Sequence, residues 1–413
     1  MSFASLKLSP PVLRALADAG YDEPTPVQAA AIPRVLAGRD VMAQSRTGTG
    51  KTAAFLVPAL ERLTSEPRGP GVGVRVLVLT PTRELAMQVK DAALTYSRHM
   101  RLAIGAIVGG VPYPPQQRLF KRPLDILVAT PGRLLDHMEQ GRIDWRRLEM
   151  VILDEADRML DMGFLKDVER ILAATPKGRQ TVMFSATFEG PIATFATRFL
   201  KDPERVRIAA SPAQSAQIAQ HVHYVNDSIQ KKAMLLTLLK DAPIAQAVIF
   251  TGTKHGADKL ARAIEGSGHA AAALHGDMRQ GVRNRTLAQF RAGEVRVLVA
   301  TDIAARGIDV AAVSHVFNYD LPKSVEDYVH RIGRTGRAGQ KGAAISFATR
   351  DEQATVRRIE RFTGQSIPVV SVPGFSVDPP PAARAGQGAK GLRPQQPFAA
   401  RRAGARRKPL PRV

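Results

Sequence analysis

Met150-Val151-Ile152-Leu153-Asp154-Glu155-Ala156-Asp157 is the stretch that decides how this chain folds. Four apolar residues in succession suit a parallel strand buried on both faces. In open α/β sheets, ligands collect beyond the carboxyl ends of such strands. Asp154 and Glu155 are therefore expected to emerge at a site. Well upstream stands Gly48-Thr49-Gly50-Lys51-Thr52. Glycines let backbone N–H groups converge on phosphate oxygens, a lysine meets the β and γ charges, and a hydroxyl meets a metal ion. A helix starting at about Thr52 would aim its positive end at the same phosphates. Ser45 occupies the position where the general phosphate-loop pattern begins with glycine. Alone, the first string reads as a phosphate loop, with a glycine-rich turn as the competing reading, and the second as an acidic helix start. Together they predict hydrolysis of a nucleoside triphosphate. Thr52 and Asp154 are expected to hold Mg²⁺, Asp154 through water, and Glu155 to orient and deprotonate the attacking water.

Composition narrows the class. The chain has 413 residues, enough for two domains of ordinary size, and a formal net charge of +22. So basic a chain is expected to meet a polyanion such as nucleic acid. It has no cysteine, which excludes disulfides and thiolate metal sites. No apolar run approaches the roughly 20 residues that span a bilayer. The start, Met1-Ser2-Phe3-Ala4-Ser5-Leu6, lacks the charged and apolar regions of a secretory signal. The expected location is cytoplasmic.

Strand-like runs separated by helical stretches recur through both halves. They include Val74–Leu79, Ile126–Ala129 and Thr181–Phe184, then Ala247–Phe250, Val295–Val299, Val313–Phe317 and Ala343–Phe347. The expected fold class is α/β, with two tandem parallel-sheet units over residues 1–208 and 218–370. The small-residue, proline-containing stretch Ala209-Ala210-Ser211-Pro212-Ala213-Gln214 suits a linker over 209–217. Beyond Ser371 the pattern gives way to Pro379-Pro380-Pro381, repeated Gly and Ala, and basic clusters at Arg401-Arg402 and Arg406-Arg407-Lys408. Such a segment cannot bury enough apolar surface to offset ordering entropy. Residues 371–413 are expected to form a disordered basic tail, either an electrostatic tether for RNA or a solubilising segment. His99, His221 and His223 have no partners at metal-ligand spacing. Trp145, Met159 and Met162 read as packing residues.

Six further strings stand in order: Pro81-Thr82-Arg83-Glu84-Leu85-Ala86, Thr130-Pro131-Gly132-Arg133, Ser185-Ala186-Thr187, His275-Gly276 with Gln280 and Arg283, Ala300-Thr301-Asp302 running to Arg306-Gly307-Ile308-Asp309, and His330-Arg331-Ile332-Gly333-Arg334-Thr335-Gly336-Arg337. With them the chain, over about residues 3 to 370, resembles the DEAD-box RNA helicases, and among bacterial members the RhlE group. The resemblance implies two RecA-like domains, ATP and Mg²⁺ as ligands, and RNA as partner. Ribosomal or RNA-decay proteins are compatible further partners.

The residue roles that follow are what the resemblance implies. Gly20-Tyr21, Pro24-Thr25-Pro26 and Gln28 match the adenine-reading segment; Gln28 offers a donor and an acceptor to the base edge, and Tyr21 or Phe3 would stack on it. Gly48, Thr49, Gly50, Lys51 and Thr52 cradle the phosphates, and Asp309 contacts the ribose. Arg334 and Arg337 match arginine fingers that stabilise charge on the γ-phosphate, so the second unit must close over the first. Ser185, Thr187, His330 and Arg331 couple the sites, Arg331 bonding within its own unit or to Ser185-Ala186-Thr187. Thr82, Arg83, Gly110, Thr130 and Arg133 from the first unit, and Gln280, Arg283 and Thr301 from the second, match RNA-backbone contacts, which carry little sequence information. The implied activity is local opening of short RNA duplexes or remodelling of RNA–protein complexes; the competing reading is an ATP-gated RNA clamp in which unwinding is incidental. A DNA helicase is a third reading, against which the acidic string and the RNA-face residues weigh.

Overall fold

The computed structural model describes residues 2–45, 49–65, 73–208, 218–241, 244–305, 313–336 and 341–376. Among them lie two lobes, each built on one parallel sheet. The first sheet takes β1 (Val41–Gln44), β2 (Val74–Leu79), β3 (Ile104–Ile107), β4 (Leu124–Ala129), β5 (Met150–Leu153), β6 (Gln180–Ser185) and β7 (Glu204–Arg207) in the order β3-β4-β2-β5-β6-β1-β7. The second takes β8 (Ile218–Tyr224), β9 (Ala247–Phe250), β10 (Ala271–Leu274), β11 (Val297–Ala300), β12 (His315–Asn318) and β13 (Gly342–Ala348) in the order β10-β11-β9-β12-β13-β8.

The apolar run at 150–153 becomes β5, and all four of its side chains are fully buried. Successive residues point to opposite faces. Met150 and Ile152 join the core on one side of the sheet, Val151 and Leu153 the core on the other. Each such burial contributes about 1.5–3 kcal/mol, so the strand is anchored from both sides.

Register then aligns the strand ends. Ala129 pairs with Leu79, Leu79 with Leu153, Leu153 with Met183, and Met183 with Met42. One row of residues thus crosses the sheet, and the segments leaving it, after Gln44 and at 80–83, 130–133, 154–157 and 185–187, all depart from the same edge. In the second lobe Leu274, Ala300, Phe250, Asn318 and Ser346 form the corresponding row. His275, Thr301 and Asp320 follow it closely in sequence.

The strands that stand out in the sequence are mostly interior ones. The edge strands β3, β7, β8 and β10 are half-buried and carry fewer contiguous apolar residues, so they do not. The C-terminal boundary also shifts. The expectation that order ends at residue 370 is corrected by six further residues packed on the second lobe. Val370 N–H donates to the Val222 carbonyl, Val372 is buried, Phe375 packs on the same core, and the Ser376 carbonyl accepts from Asn226 Nδ2 and Gln230 Nε2. Val372 and Phe375, separated by Pro373 and Gly374, had too little periodicity to reveal this strap. The linker at 209–217, and the tail beyond 376, lie outside the described residues.

One ionic group is embedded in the first lobe. Arg75, on β2, meets Glu149 at 2.8 Å, with each side chain 3% exposed, and also donates to the carbonyls of Leu63 and Ser65. Removing one member of a buried pair leaves an uncompensated charge at a cost of about 3–5 kcal/mol. Glu149→Ala should therefore lower unfolding stability by about 3 kcal/mol in a urea titration; a drop under about 1 kcal/mol would show that Arg75 is satisfied by the two carbonyls alone.

Candidate active site between the lobes

Lys51 begins the helix Lys51–Arg62, its cap being Gly50 at φ 89°. That left-handed backbone favours glycine. A side chain there would also collide with Gln28 Nε2. Buried Lys51 places Nζ 3.9 Å from Asp154 Oδ1. Burial pushes the Asp154 carboxyl up to about 6; the Lys51 charge opposes this and the Glu155 charge adds to it. Asp157 is raised as well, by burial first. Asp154 Oδ1 is enclosed and accepts no hydrogen bond. A buried carboxylate oxygen lacking a donor is an oxygen ligand that suits a hard cation, and Thr52, next in sequence to Lys51, carries a second oxygen. The residues present therefore fit Mg²⁺. Among the described residues no cluster of three or more His, Asp or Glu forms a separate metal site.

Glu155 adopts φ 53°, ψ 53°, one of three described non-glycine residues at positive φ. Such a conformation costs about 1–3 kcal/mol and persists only where the surroundings enforce it. Here it turns the chain sharply from β5 into the helix Ala156–Asp161 and holds the Glu155 side chain, 7% exposed, at the sheet edge. Arg158, one turn on, brings Nε to 3.5 Å from Glu155 Oε2.

The adenine-reading segment differs from expectation in detail. Gln28 is fully buried. Its Oε1 accepts from Thr25 N–H and its Nε2 donates to the Gly50 carbonyl, while Thr25 Oγ1 donates to the Thr49 carbonyl. The amide nitrogen thus ties this segment to the phosphate loop while the oxygen bonds within the segment, and base reading would have to use the remaining hydrogen and lone pair. Phe3 is corrected as a stacking ring: it is buried edge-on against Tyr21. Tyr21 in turn meets Tyr96 edge-on and shares a 2.6 Å hydroxyl contact with it. The physical reason is that Phe3 gains more from core burial than an exposed N-terminal ring could. Tyr21 is only partly buried.

Ser185-Ala186-Thr187 is wired to the carboxylates. Ala186 N–H donates to Asp157 Oδ2 and Thr187 N–H to Ser185 Oγ. In the second lobe Arg331 bonds both Asp302 oxygens, at 2.6 and 2.7 Å, and also Asn318 Oδ1 and the Asp320 carbonyl. Of the two alternatives for Arg331, bonding within its own lobe is the one observed. A cavity at the junction is lined by Arg158 of the first lobe and by Phe250, Asp302, Asp327, His330 and Arg334 of the second. Arg334 thus stands near the helix that follows Asp154 and Glu155.

The expected RNA-face residues also converge. Thr82 caps the helix Arg83–Tyr96 by accepting from Leu85 N–H, and Thr130 Oγ1 accepts from Gly109 N–H. Gly110 sits at φ 70° beneath the Arg83 guanidinium, where any Cβ would collide. Arg133 donates to the Val111 carbonyl and lies 4.1 Å over the Tyr113 ring. Across the gap, Arg83 Nη1 donates to Gln280 Oε1 at 3.1 Å and Arg283 Nη2 donates to Glu84 Oε1 at 2.8 Å. Thr301 is buried after β11. Sequence reasoning missed Glu84, Tyr113 and Arg158. Glu84 and Arg158 lie inside or beside quoted strings, which was the available signal; Tyr113 had none. Gly48, Asp309 and Arg337 lie outside the described residues.

Comparison with known proteins agrees with this geometry. The description DEAD/DEAH box helicase matches residues 25–195, and Helicase conserved C-terminal domain matches 230–339. ATP-dependent RNA helicase SrmB of Escherichia coli (strain K12) is 45% identical over 367 residues, covering 89% of this chain and 83% of that protein. DeaD of the same strain is 45% identical over 373 residues, 90% of this chain but 58% of its own length. SrmB, DeaD and RhlB proteins stand among these relatives, so the similarity does not single out the RhlE group. Dbp5 of S. cerevisiae bound to RNA and ADP BeF3 superposes with a TM-score of 0.80 at 31% identity, covering 89% of this chain and 95% of that one. A substituted form of Dbp5 bound to Nup159, Gle1, IP6 and ADP gives 0.62 at 30% identity, covering 88% and 95%. Two parallel-sheet lobes, Lys51 beside buried Asp154, and a junction cavity lined by Arg158 and Arg334 are thus features of a chain that belongs to the DEAD/DEAH box helicase family.

Proposed function

We propose that this protein is an ATP-dependent RNA helicase that opens short RNA duplexes or remodels RNA–protein complexes, coupled to RNA-stimulated ATP hydrolysis. The observation that carries the reading is the junction cavity, where Arg158 beside Glu155 meets His330, Arg331 and Arg334. A site divided in this way works only when the lobes approach. Lys51 and the N-terminus of its helix bind the phosphates, Asp154 and Thr52 hold Mg²⁺, and Glu155 positions and deprotonates water. When bound, the ion would neutralise phosphate charge. Arg334, with Arg337, would stabilise charge on the transferred group.

RNA is read through its backbone by Thr82, Arg83, Gly110, Thr130 and Arg133 on one lobe and Gln280, Arg283 and Thr301 on the other. Closing the lobes around one strand bends it away from duplex geometry. Stacking contributes about 1.4 kcal/mol per base-pair step, so about five steps cost roughly 7 kcal/mol. Binding energy can supply that, whereas long duplexes resist. Cytoplasmic location fits this reading, and among the described residues no helix is long and apolar enough to cross a membrane. Ribosomal or RNA-decay proteins are the further partners we propose.

ATP turnover should rise with single-stranded RNA and stop in Glu155→Gln, while nucleotide and RNA binding survive as a trapped closed complex. Turnover indifferent to RNA, or an active Glu155→Gln enzyme, would defeat the reading. Glu84→Ala strips Arg283 of its partner across the gap. It should cut RNA-stimulated kcat about ten-fold with ATP affinity held within about two-fold; an unchanged kcat would show that the pair does not support closure. Deleting residues 377–413 should weaken RNA binding and flatten its dependence on salt, since each phosphate that the protein ceases to neutralise takes about 0.7 off the log–log slope for a single strand. An unaltered slope would identify the tail as a solubilising segment.

A further inference from the structure

β7 ends the first sheet on one side, and among the described residues no strand pairs with its outer edge. Its inner edge is spent on β1: Glu204 N–H donates to the Asp40 carbonyl and Ile208 N–H to the Gln44 carbonyl. In a parallel ladder the N–H and C=O of one residue face the same neighbouring strand, and successive residues alternate between neighbours. Arg205 and Arg207 therefore turn their backbone donors and acceptors outward. The register sets Met42 opposite Arg205 and Gln44 opposite Arg207. Both arginine side chains thus lie on the sheet face that carries Met42, while Val206 joins the core on the other face.

A cavity of about 230 Å³ opens on that face, bounded by β7 and the helix Gly190–Phe199. Met42, Phe188, Ala196 and Leu200 belong to its apolar lining, and the exposed Arg205 and Arg207 border it together with Asp202. Pockets for drug-sized ligands run to about 300–1,000 Å³, so this space suits a single large side chain. Neither arginine has a hydrogen-bond or ion-pair partner for its side chain among the described residues. The one carboxylate of the strand, Glu204, is already engaged by Arg34 and Arg39.

An open edge, a pocket beside it and unpaired charge of one sign therefore coincide. Strand addition draws affinity from main-chain hydrogen bonds and specificity from pockets that take alternate side chains. Charged side chains on an edge ordinarily guard it against pairing. Two unpaired cations refuse a basic strand, including β7 of a second copy, and favour an acidic one. Residues 377–413 of this chain carry one acidic side chain, Asp378, amid many arginines, so they do not supply the occupant. We propose that the outer edge of β7 is a docking surface for an extended acidic segment of a partner protein, which sets carboxylates beside Arg205 and Arg207 and places an apolar side chain in the adjoining cavity. This goes beyond the function proposed above and does not depend on it.

The probe is a dye-labelled peptide, Thr-Thr-Glu-Thr-Leu-Thr-Glu-Thr-Thr, whose facing positions read acidic, apolar, acidic in either direction along the edge. Titrated against the full chain and followed by fluorescence anisotropy, it should bind saturably below about 1 mM. Amide hydrogen exchange should slow at Arg205 and Arg207 more than at Val206, whose N–H already faces β1. On the wild-type chain, a peptide with Lys in place of Glu should not bind, and one with Ser in place of Leu should bind about ten-fold more weakly. The double variant Arg205→Glu, Arg207→Glu should weaken the original peptide about ten-fold or more, while its melting temperature and RNA-stimulated turnover match wild type. Absence of binding, a Lys peptide that binds as well as the acidic one, or protection confined to residues away from β7 would overturn the proposal. So would a double variant that loses affinity for single-stranded RNA in step with the peptide, since the edge would then be a nucleic-acid surface.

Discussion

Parallel register is the constraint on which everything else rests. Because Ala129, Leu79, Leu153, Met183 and Met42 lie in one row, five connecting segments leave the first sheet along one edge. A shift of one residue would turn every side chain of a strand to the other face. The two-sided burial of β5 forbids that, since both faces of the strand are already packed. Phosphate loop, carboxylates and nucleic-acid loops thus meet because apolar side chains a few residues earlier have nowhere else to go.

At that edge the protein accepts unfavourable local terms. Asp154 is buried with its carboxyl raised, and Glu155 holds a left-handed backbone. The sign of the Asp154 shift matters. A carboxyl whose folded pKa exceeds the unfolded value gains protons on folding, so its contribution to stability declines as pH rises from the ordinary carboxylate range through about 6. At neutral pH the ligand-free site is therefore under electrostatic stress that a cation relieves. Stability has been traded for readiness, a pattern frequent where chemistry is to occur.

Among the described residues the lobes meet at two places. At one, Glu84 and Arg83 engage Arg283 and Gln280; at the other, Arg158 lines a cavity with His330 and Arg334. Both meetings join residues distant in the chain, through side chains long enough to bridge a gap between rigid sheets. Phosphate binding and strand binding can thereby respond to the same motion.

Much of this was legible in the residues. The buried run at 150–153, the glycines and lysine at 48–51, and the ordered strings that follow determined two parallel α/β units and singled out the side chains to which the proposed chemistry is assigned. Local pattern carries such information because strand burial and phosphate cradling each demand particular residue types within a few positions. What only the tertiary structure decided is how distant groups share their bonds. Gln28 is bound to Gly50, Phe3 is packed in the core, Val372 and Phe375 extend the second lobe beyond its expected end, and Arg158 stands half-bonded at the junction. Those outcomes depend on which hydrogen-bonding capacity and which apolar surface remain unclaimed once the sheets have formed, and that is a property of the assembled fold rather than of any segment.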